Sequence, residues 1–314
     1  MHYRAFARLL LAGAWLAAIG LASAPARAQE STPPAPRVLT DLVYRTVGDL
    51  SLTLDAYLPS TPGPHPAVLV IHGGAWIGGD KGDMAPFGRG LASNGLAAFS
   101  VNYRLSGQAP YPAQIEDCLE AVKWLRAHAV EYEVDPDRLG ALGASAGAHL
   151  ALLVATMEPP EDLTDAAGQP LRNWVRAVVS VAGPTDLTAG DWDQVTPELR
   201  QVLAQFLGGT PQEVPDNYAQ ASPVTHISPD DPPVLLIHGD RDQIVPYAQA
   251  LIMQQKLQEA GVSVELITLH GGGHGAEGTN AVEFVGALVR TMEFLEENLT
   301  AAEAPPASPP AVML

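Results

Sequence analysis

Between residues 38 and 295, short continuous apolar runs alternate with stretches whose apolar positions recur every three or four residues. The runs "AVLVIH" (67–72), "LAAFSVNY" (96–103), "LGALGAS" (139–145), "VRAVVSVAG" (175–183), "PVLLIHG" (233–239) and "SVELITLH" (263–270) suit strands buried on both faces. Helical spacing predicts helices over 84–93, closed by Asn94-Gly95, and over 114–129, ended by "EVDPDR". It predicts three more over 146–157, 246–260 and 282–295, with Pro246 in a first turn and Gly261 just past an end. Ahead of these, "VLTDLVYRTV" and "LSLTLDAYLP" read as a hairpin turning at Gly48-Asp49. Strands alternating with helices predict an α/β fold, with a mostly parallel central sheet and helices on both faces. Ligand sites in such sheets lie outside the carboxyl ends of the strands, so each strand-end loop is a candidate.

The two ends of the chain read differently. Arg4 and Arg8 precede an apolar run from Leu9 to Ala22, and Ala26-Arg27-Ala28 offers a cleavage signal. Residues 1–28 therefore read as a signal peptide, too short in its apolar part for a membrane span, and the mature chain is expected in the periplasm or outside the cell. Residues 30–37 are Pro-rich, and residues 300–314 form a Pro/Ala-rich tail expected to be disordered. One α/β domain over 38–299 remains, with no internal repeat.

Charge removes some partners. The chain has 17 Lys+Arg against 35 Asp+Glu, and loss of the three arginines in residues 1–28 leaves 14 against 35, a net −21. Such a surface repels nucleic acid and anionic lipid, so neither nucleic acid binding nor stable membrane insertion after signal cleavage is expected. Cys118 is the only cysteine, which excludes an intramolecular disulfide and a cysteine-based metal site. It falls in a helical pattern and reads as a small buried hydrophobe.

Four strand-end loops carry unusual residues. In "LGALGASAGAHLALL", a strand turning directly into a helix places Ser145 in a tight turn, with Gly143 and Gly147 leaving room for the backbones to pass. The hydroxyl would then face solvent at a helix N-terminus, where negative charge is favoured. A serine nucleophile needs a base, and the base needs an acid to orient it. "LLIHGDRDQIVP" presents Asp240 and Asp242 after a buried strand, and "LHGGGHGAEG" presents His274 after the last one. Ser145, Asp242 and His274 thus stand in the chain order nucleophile, acid, base.

The fourth loop, "HGGAW" (72–76), explains itself once a nucleophile is in view. Attack on a carbonyl creates an oxyanion that needs preorganised donors. The N–H groups of Gly74, Ala75 and Ala146 are the candidates for that oxyanion hole. Trp76 is expected to pack behind the loop or to wall the acyl pocket. His72 is expected to fix the loop by hydrogen bonding, Tyr103 and Arg104 to serve structure, and His149 to be a satisfied core histidine. Residues 186–223 are expected to form a small helical cap, whose Trp192 and Phe206 line the pocket or pack in the core.

These segments, with "VNYRLS", "VDPDRLGALGASAGAHLA" and "ASPVTHISPDDPPVLLIHGDRDQIVP", resemble the α/β-hydrolase superfamily over residues 40–298. Within it they resemble the hormone-sensitive-lipase-like and bifunctional feruloyl/acetyl-xylan-esterase-like branch. The resemblance implies an α/β-hydrolase fold with Ser145 as nucleophile, His274 as base and Asp242, rather than Asp240, as acid. It implies a serine esterase without metal or organic cofactor, acting on small-molecule or polysaccharide esters such as acetyl and feruloyl esters. Kynurenine formamidases share the His-Gly-Gly-x-Trp motif, so an amidase is the alternative. A catalytically inactive binding protein on the same fold would lack a triad member, and none is missing. Ala75 departs from the family, many of whose members have a third glycine there.

Overall fold

A computed structural model of the protein describes residues 35–190, 192 and 195–300. The signal-peptide reading of residues 1–28 and, apart from helical Thr300, the tail reading of residues 300–314 lie outside the described residues. Among the described residues, no helix is long and apolar enough to cross a membrane.

Eight strands of the described residues make one sheet: β1 (Arg37–Val47), β2 (Leu50–Leu58), β3 (His65–Ile71), β4 (Ala97–Val101), β5 (Val134–Ala144), β6 (Val178–Val181), β7 (Val234–Gly239) and β8 (Val264–Leu269). Their spatial order is β1-β2-β4-β3-β5-β6-β7-β8. The hairpin β1–β2 and the β2–β4 pair are antiparallel, while every pair from β4 onward is parallel. β3, β4, β6 and β7 are buried along their whole length, which is why their sequences are continuous rather than alternating.

Among the described residues, seven helices cover the sheet and the site: α1 (Ala85–Ser93), α2 (Ala113–Ala127), α3 (Ala146–Thr156), α4 (Pro197–Leu207), α5 (Pro215–Gln220), α6 (Ala248–Ala260) and α7 (Ala281–Thr300). Two apolar cores lie on opposite faces. One gathers Phe99, Ile115, Leu125, Leu150 and Phe206; the other gathers Val68, Leu142, Leu235, Phe294 and Leu295. α3 is buried at every residue, since it packs on β3, β5 and β6 in the middle of the sheet. Helices α4 and α5 are the cap, and Thr196 caps α4 by accepting the Leu199 N–H.

Two expectations shift. "EVDPDR" is not a loop: β5 begins at Val134, and a register shift accommodates the extra residues between the pairs His65–Val134 and Ala67–Leu139. Pro246 lies ahead of α6, which begins at Ala248, while Gly261 ends it in the left-handed conformation. Cys118 is free and buried, as its pattern suggests.

Candidate active site

The sheet brings four turns together at the carboxyl ends of β3, β5, β7 and β8. After β5, Ser145 takes φ 55°, ψ −121°, a conformation that costs a non-glycine residue of order 1–3 kcal/mol. Its N–H is held by the Val181 carbonyl at 2.8 Å, so the strain is imposed by the neighbouring strand. The turn works only because its flanks are bare. A Cβ on Gly143 would collide with the backbone of Gly147, and one on Gly147 with the carbonyls of Ile71 and His72.

After β8, His274 sits between two partners. Its Nδ1 lies 2.7 Å from Asp242 Oδ2 and its Nε2 lies 2.9 Å from Ser145 Oγ. A carboxylate only accepts, so Nδ1 carries the hydrogen and Nε2 is left to accept the Ser145 hydroxyl. The loop is held by Glu277, whose carboxylate takes the Gly275 N–H at 2.7 Å and whose carbonyl takes the Gly273 N–H at 2.8 Å. The sequence reading missed Glu277, because a surface glutamate among glycines carries no signal of its own.

Asp242 is buried and accepts three N–H groups, with a fourth donor close by. Oδ1 takes those of Ile244 (2.8 Å) and Val245 (3.0 Å); Oδ2 takes His274, and His238 Nε2 lies 3.2 Å from it. Burial opposes its charge, but the hydrogen bonds from His238 and His274 outweigh it and hold the carboxyl well below the usual carboxylate range. Asp240 points elsewhere, accepting the Gly271 N–H at 2.7 Å.

The "HGGAW" loop passes beside the serine. A Cβ on Gly73 would sit 2.8 Å from the Ala144 carbonyl and 3.3 Å from Ser145 Cβ. Gly74, Ala75 and Trp76 follow with φ of 112°, 53° and 57°, three successive residues in the left-handed region. The Gly74 carbonyl binds the N–H groups of Ile77 and Gly78, and Ser106 donates to the Trp76 carbonyl from both its N–H and its hydroxyl. The N–H groups of Gly74, Ala75 and Ala146 donate to no acceptor among the described residues. His72 is buried, stacks on Tyr103 at 4.4 Å and donates Nδ1–H to the Gly73 carbonyl, while the Tyr103 hydroxyl donates to the His72 carbonyl. Desolvation lowers the His72 pKa against that hydrogen bond. Arg104 pairs with buried Asp117 at 2.8 Å.

Trp76 stacks face to face on Phe206 of α4 at 4.2 Å and edge to face with His149 at 5.2 Å. It is only 3% exposed, so it packs behind the loop and against the cap. Trp192 is also buried, and its Nε1 donates to the Asp186 carbonyl at 2.7 Å. His149 corrects an expectation: Nε2 donates to the Ala221 carbonyl at 2.6 Å, but Nδ1 has no partner among the described residues.

The geometry offers a hydroxyl, a base aimed at it, a buried anion behind the base and backbone donors alongside. Comparison with known proteins points the same way. The chain is 36% identical to the probable carboxylic ester hydrolase LipM of Mycobacterium tuberculosis over 60% of this chain and 44% of that one. It is 30% identical to esterase LipC of the same organism, over 68% and 53%. The chain thus spans about half the length of the curated relatives it matches. Among solved structures, a truncated carbohydrate esterase from gut microbiota superposes with a TM-score of 0.71, at 29% identity over 86% of this chain and all of that one. Esterase 2 of Thermogutta terrifontis superposes with a TM-score of 0.67, at 26% identity over 88% and 96%. It has also been solved phosphorylated by paraoxon. The BD-FAE family profile matches residues 54–257, well over half of the chain and from β2 to the cap and α6. The chain belongs to the BD-FAE family, on the α/β-hydrolase fold.

Proposed function

We propose that this protein is an exported serine carboxylic-ester hydrolase working through a covalent acyl-enzyme on short-chain or polysaccharide-linked acetyl and feruloyl esters. The observation that carries the reading is the line of hydrogen bonds from Ser145 Oγ through His274 to Asp242. His274 Nε2 takes the hydroxyl proton as Ser145 attacks the ester carbonyl, and Asp242 stabilises the resulting imidazolium. The N–H groups of Gly74, Ala75 and Ala146 receive the oxyanion. His274 then hands its proton to the departing alcohol, and water repeats the sequence on the acyl-enzyme. No step calls for a metal or an organic cofactor.

The substrate class rests on the relatives. One is a carbohydrate esterase, and the Thermogutta esterase has been solved with propionate and with butyrate bound. An alkoxide leaves more readily than an amine, and among the described residues no group beyond His274 reaches Ser145 to protonate an amine, which favours esters over amides. The test compares acetylated xylan, methyl ferulate, a long-chain ester and N-formylkynurenine at one enzyme concentration, with a fluorophosphonate probe mapped by peptide mass. Acetyl or feruloyl esters should turn over fastest, with the probe on Ser145. Fastest turnover of the formamide would overturn the ester reading and leave the triad standing. Probe on another residue would overturn the triad. Export is tested by intact mass, which should begin at Gln29.

A further inference from the structure

We infer that His238 is a positioning residue of this site: a second imidazole donor on Asp242 Oδ2 that shares the carboxylate with His274 and limits how strongly Asp242 draws the His274 proton. The inference rests on the serine-hydrolase reading above.

His238 is the penultimate residue of β7 and is 2% exposed. Its Nε2 lies 2.9 Å from the Val245 carbonyl oxygen and 3.2 Å from Asp242 Oδ2. A carbonyl oxygen can only accept, so Nε2 carries the hydrogen, and that one N–H is shared between Val245 and Asp242. Oδ2 therefore faces two imidazole N–H groups, from His274 at 2.7 Å and from His238, while Oδ1 receives two backbone N–H groups. Three hydrogen bonds and the approach of His238 thus surround the carboxylate.

The surroundings leave this role to His238. From the loop after β8 only His274 reaches Asp242, with Ser145 on its far side. Within the loop after β7, Asp240 is turned to the Gly271 N–H. Arg241 adjoins Asp242 in the chain, and its backbone N–H donates to the Gly272 carbonyl. Glu277 is turned to the Gly275 N–H. The Tyr247 ring packs edge-on against His238 at 5.8 Å, with its hydroxyl on Thr268 Oγ1. Tyr247 thus fixes the ring without competing for the carboxylate. His238 and His274 together hold the Asp242 carboxyl down against its burial.

Removing the donor leaves the same charge on Oδ2 with one imidazole to satisfy it. The carboxylate then holds the doubly protonated His274 more strongly, and His274 gives up its proton to become a base only at higher pH. A side chain that merely filled space would have no such effect.

The experiment measures the pH profile of kcat/KM for an acetyl ester in wild type, His238→Leu and His238→Gln; the glutamine amide can place an N–H where Nε2 stands. In His238→Leu the acid limb should move upward by about half a pH unit, with kcat reduced roughly tenfold and KM within about twofold. His238→Gln should return the limb toward wild type. An unmoved limb in the leucine variant, or no recovery with glutamine, would overturn the inference. Should the leucine variant fail to fold, 15N NMR of the histidine-labelled wild type decides: a proton on His238 Nε2 is required, and a proton on Nδ1 alone would overturn it. Wild-type turnover and probe labelling at Ser145 are measured first, so failure of the serine-hydrolase reading is seen separately.

Discussion

Gly147, two residues beyond Ser145, lies directly beneath the end of β3, where a Cβ would collide with the carbonyl oxygens of Ile71 and His72. The helix that starts at the serine and the strand that leads into the "HGGAW" loop therefore touch backbone to backbone. Ser145 and the N–H groups of the loop belong to one rigid body, because nothing compressible separates them. The strained residues follow the same line, with Ala75, Trp76 and Ser145 all at positive φ within this contact. Strain of that kind persists only where the surroundings over-determine it.

Gly147→Ala should thus damage activity out of proportion to stability. Relief of the clash must move either the serine turn or the donor loop, at about 1–3 kcal/mol for overpacking. A displacement near 1 Å between nucleophile and donors costs on the order of 10²-fold in rate. Urea denaturation and steady-state kinetics on one preparation check this. Wild-type kcat/KM in a folded variant would show that the contact does not set the geometry.

Asp242 and Asp240 give a sharper pair. Asp242→Asn removes the charge behind His274 and can present an amide N–H to Nδ1, so turnover should fall by roughly 10³-fold or more. Asp240→Asn keeps an acceptor for the Gly271 N–H and should stay within about tenfold of wild type. The reverse ranking would mean that the acid had been taken from the wrong strand-end residue.

Much of this site was legible because its residues sit where buried strands end. Continuous apolar runs mark β3, β5 and β7, and Ser145, Asp242 and the "HGGAW" loop each follow such a run directly. β5 was legible only in its second half, since "VDPDR" looks like a turn and joins the sheet through a register shift that depends on β3. Partners that reach across the fold were not legible. The stacking of Trp76 on Phe206 joins segments far apart in the chain, and Ser106 holds the Trp76 carbonyl from the end of "VNYRLS", a segment whose spacing says nothing about that partner. His238 was visible as a strand-end histidine, but its bond to Asp242 depends on how the loop after β7 folds back.

The Trp76–Phe206 stack ties the cap to the donor loop, and its loss should be felt at both ends. Phe206 is fully buried, so Phe206→Ala should destabilise by about 3–5 kcal/mol, the usual range for this truncation. It should also lower kcat/KM roughly tenfold, because Trp76 directly follows Ala75 in the strained turn. Phe206→Tyr or Phe206→Leu, which keep most of the contact, should recover most of the rate. If Phe206→Ala lost stability alone, the cap would be packing on the loop without holding it.

The last prediction concerns acid. His149 is wholly buried one helical turn beyond Ser145, and desolvation holds its pKa down to about 4 against the hydrogen bond to Ala221. An unfolded histidine titrates near 6.5. Between about pH 4 and 6.5 the unfolded chain binds a proton that the folded chain refuses, so stability rises with pH across this window and is complete above it. The shift corresponds to about 3 kcal/mol lost on going from neutral pH down to pH 4. His72, shifted in the same direction by burial, adds to the slope. Asp242 does not share the window: its carboxyl is depressed, so its contribution persists above the unfolded value near 4 and is lost only below it. His149→Gln can keep a donor for the Ala221 carbonyl and cannot titrate. Its stability deficit against wild type should therefore be largest at pH 7 and shrink by about 3 kcal/mol toward pH 4, as wild type loses what the variant never had. Urea unfolding at pH 4.5, 5.5 and 7 measures that difference, and a deficit that stays constant over the three would mean that His149 takes up its proton while still folded.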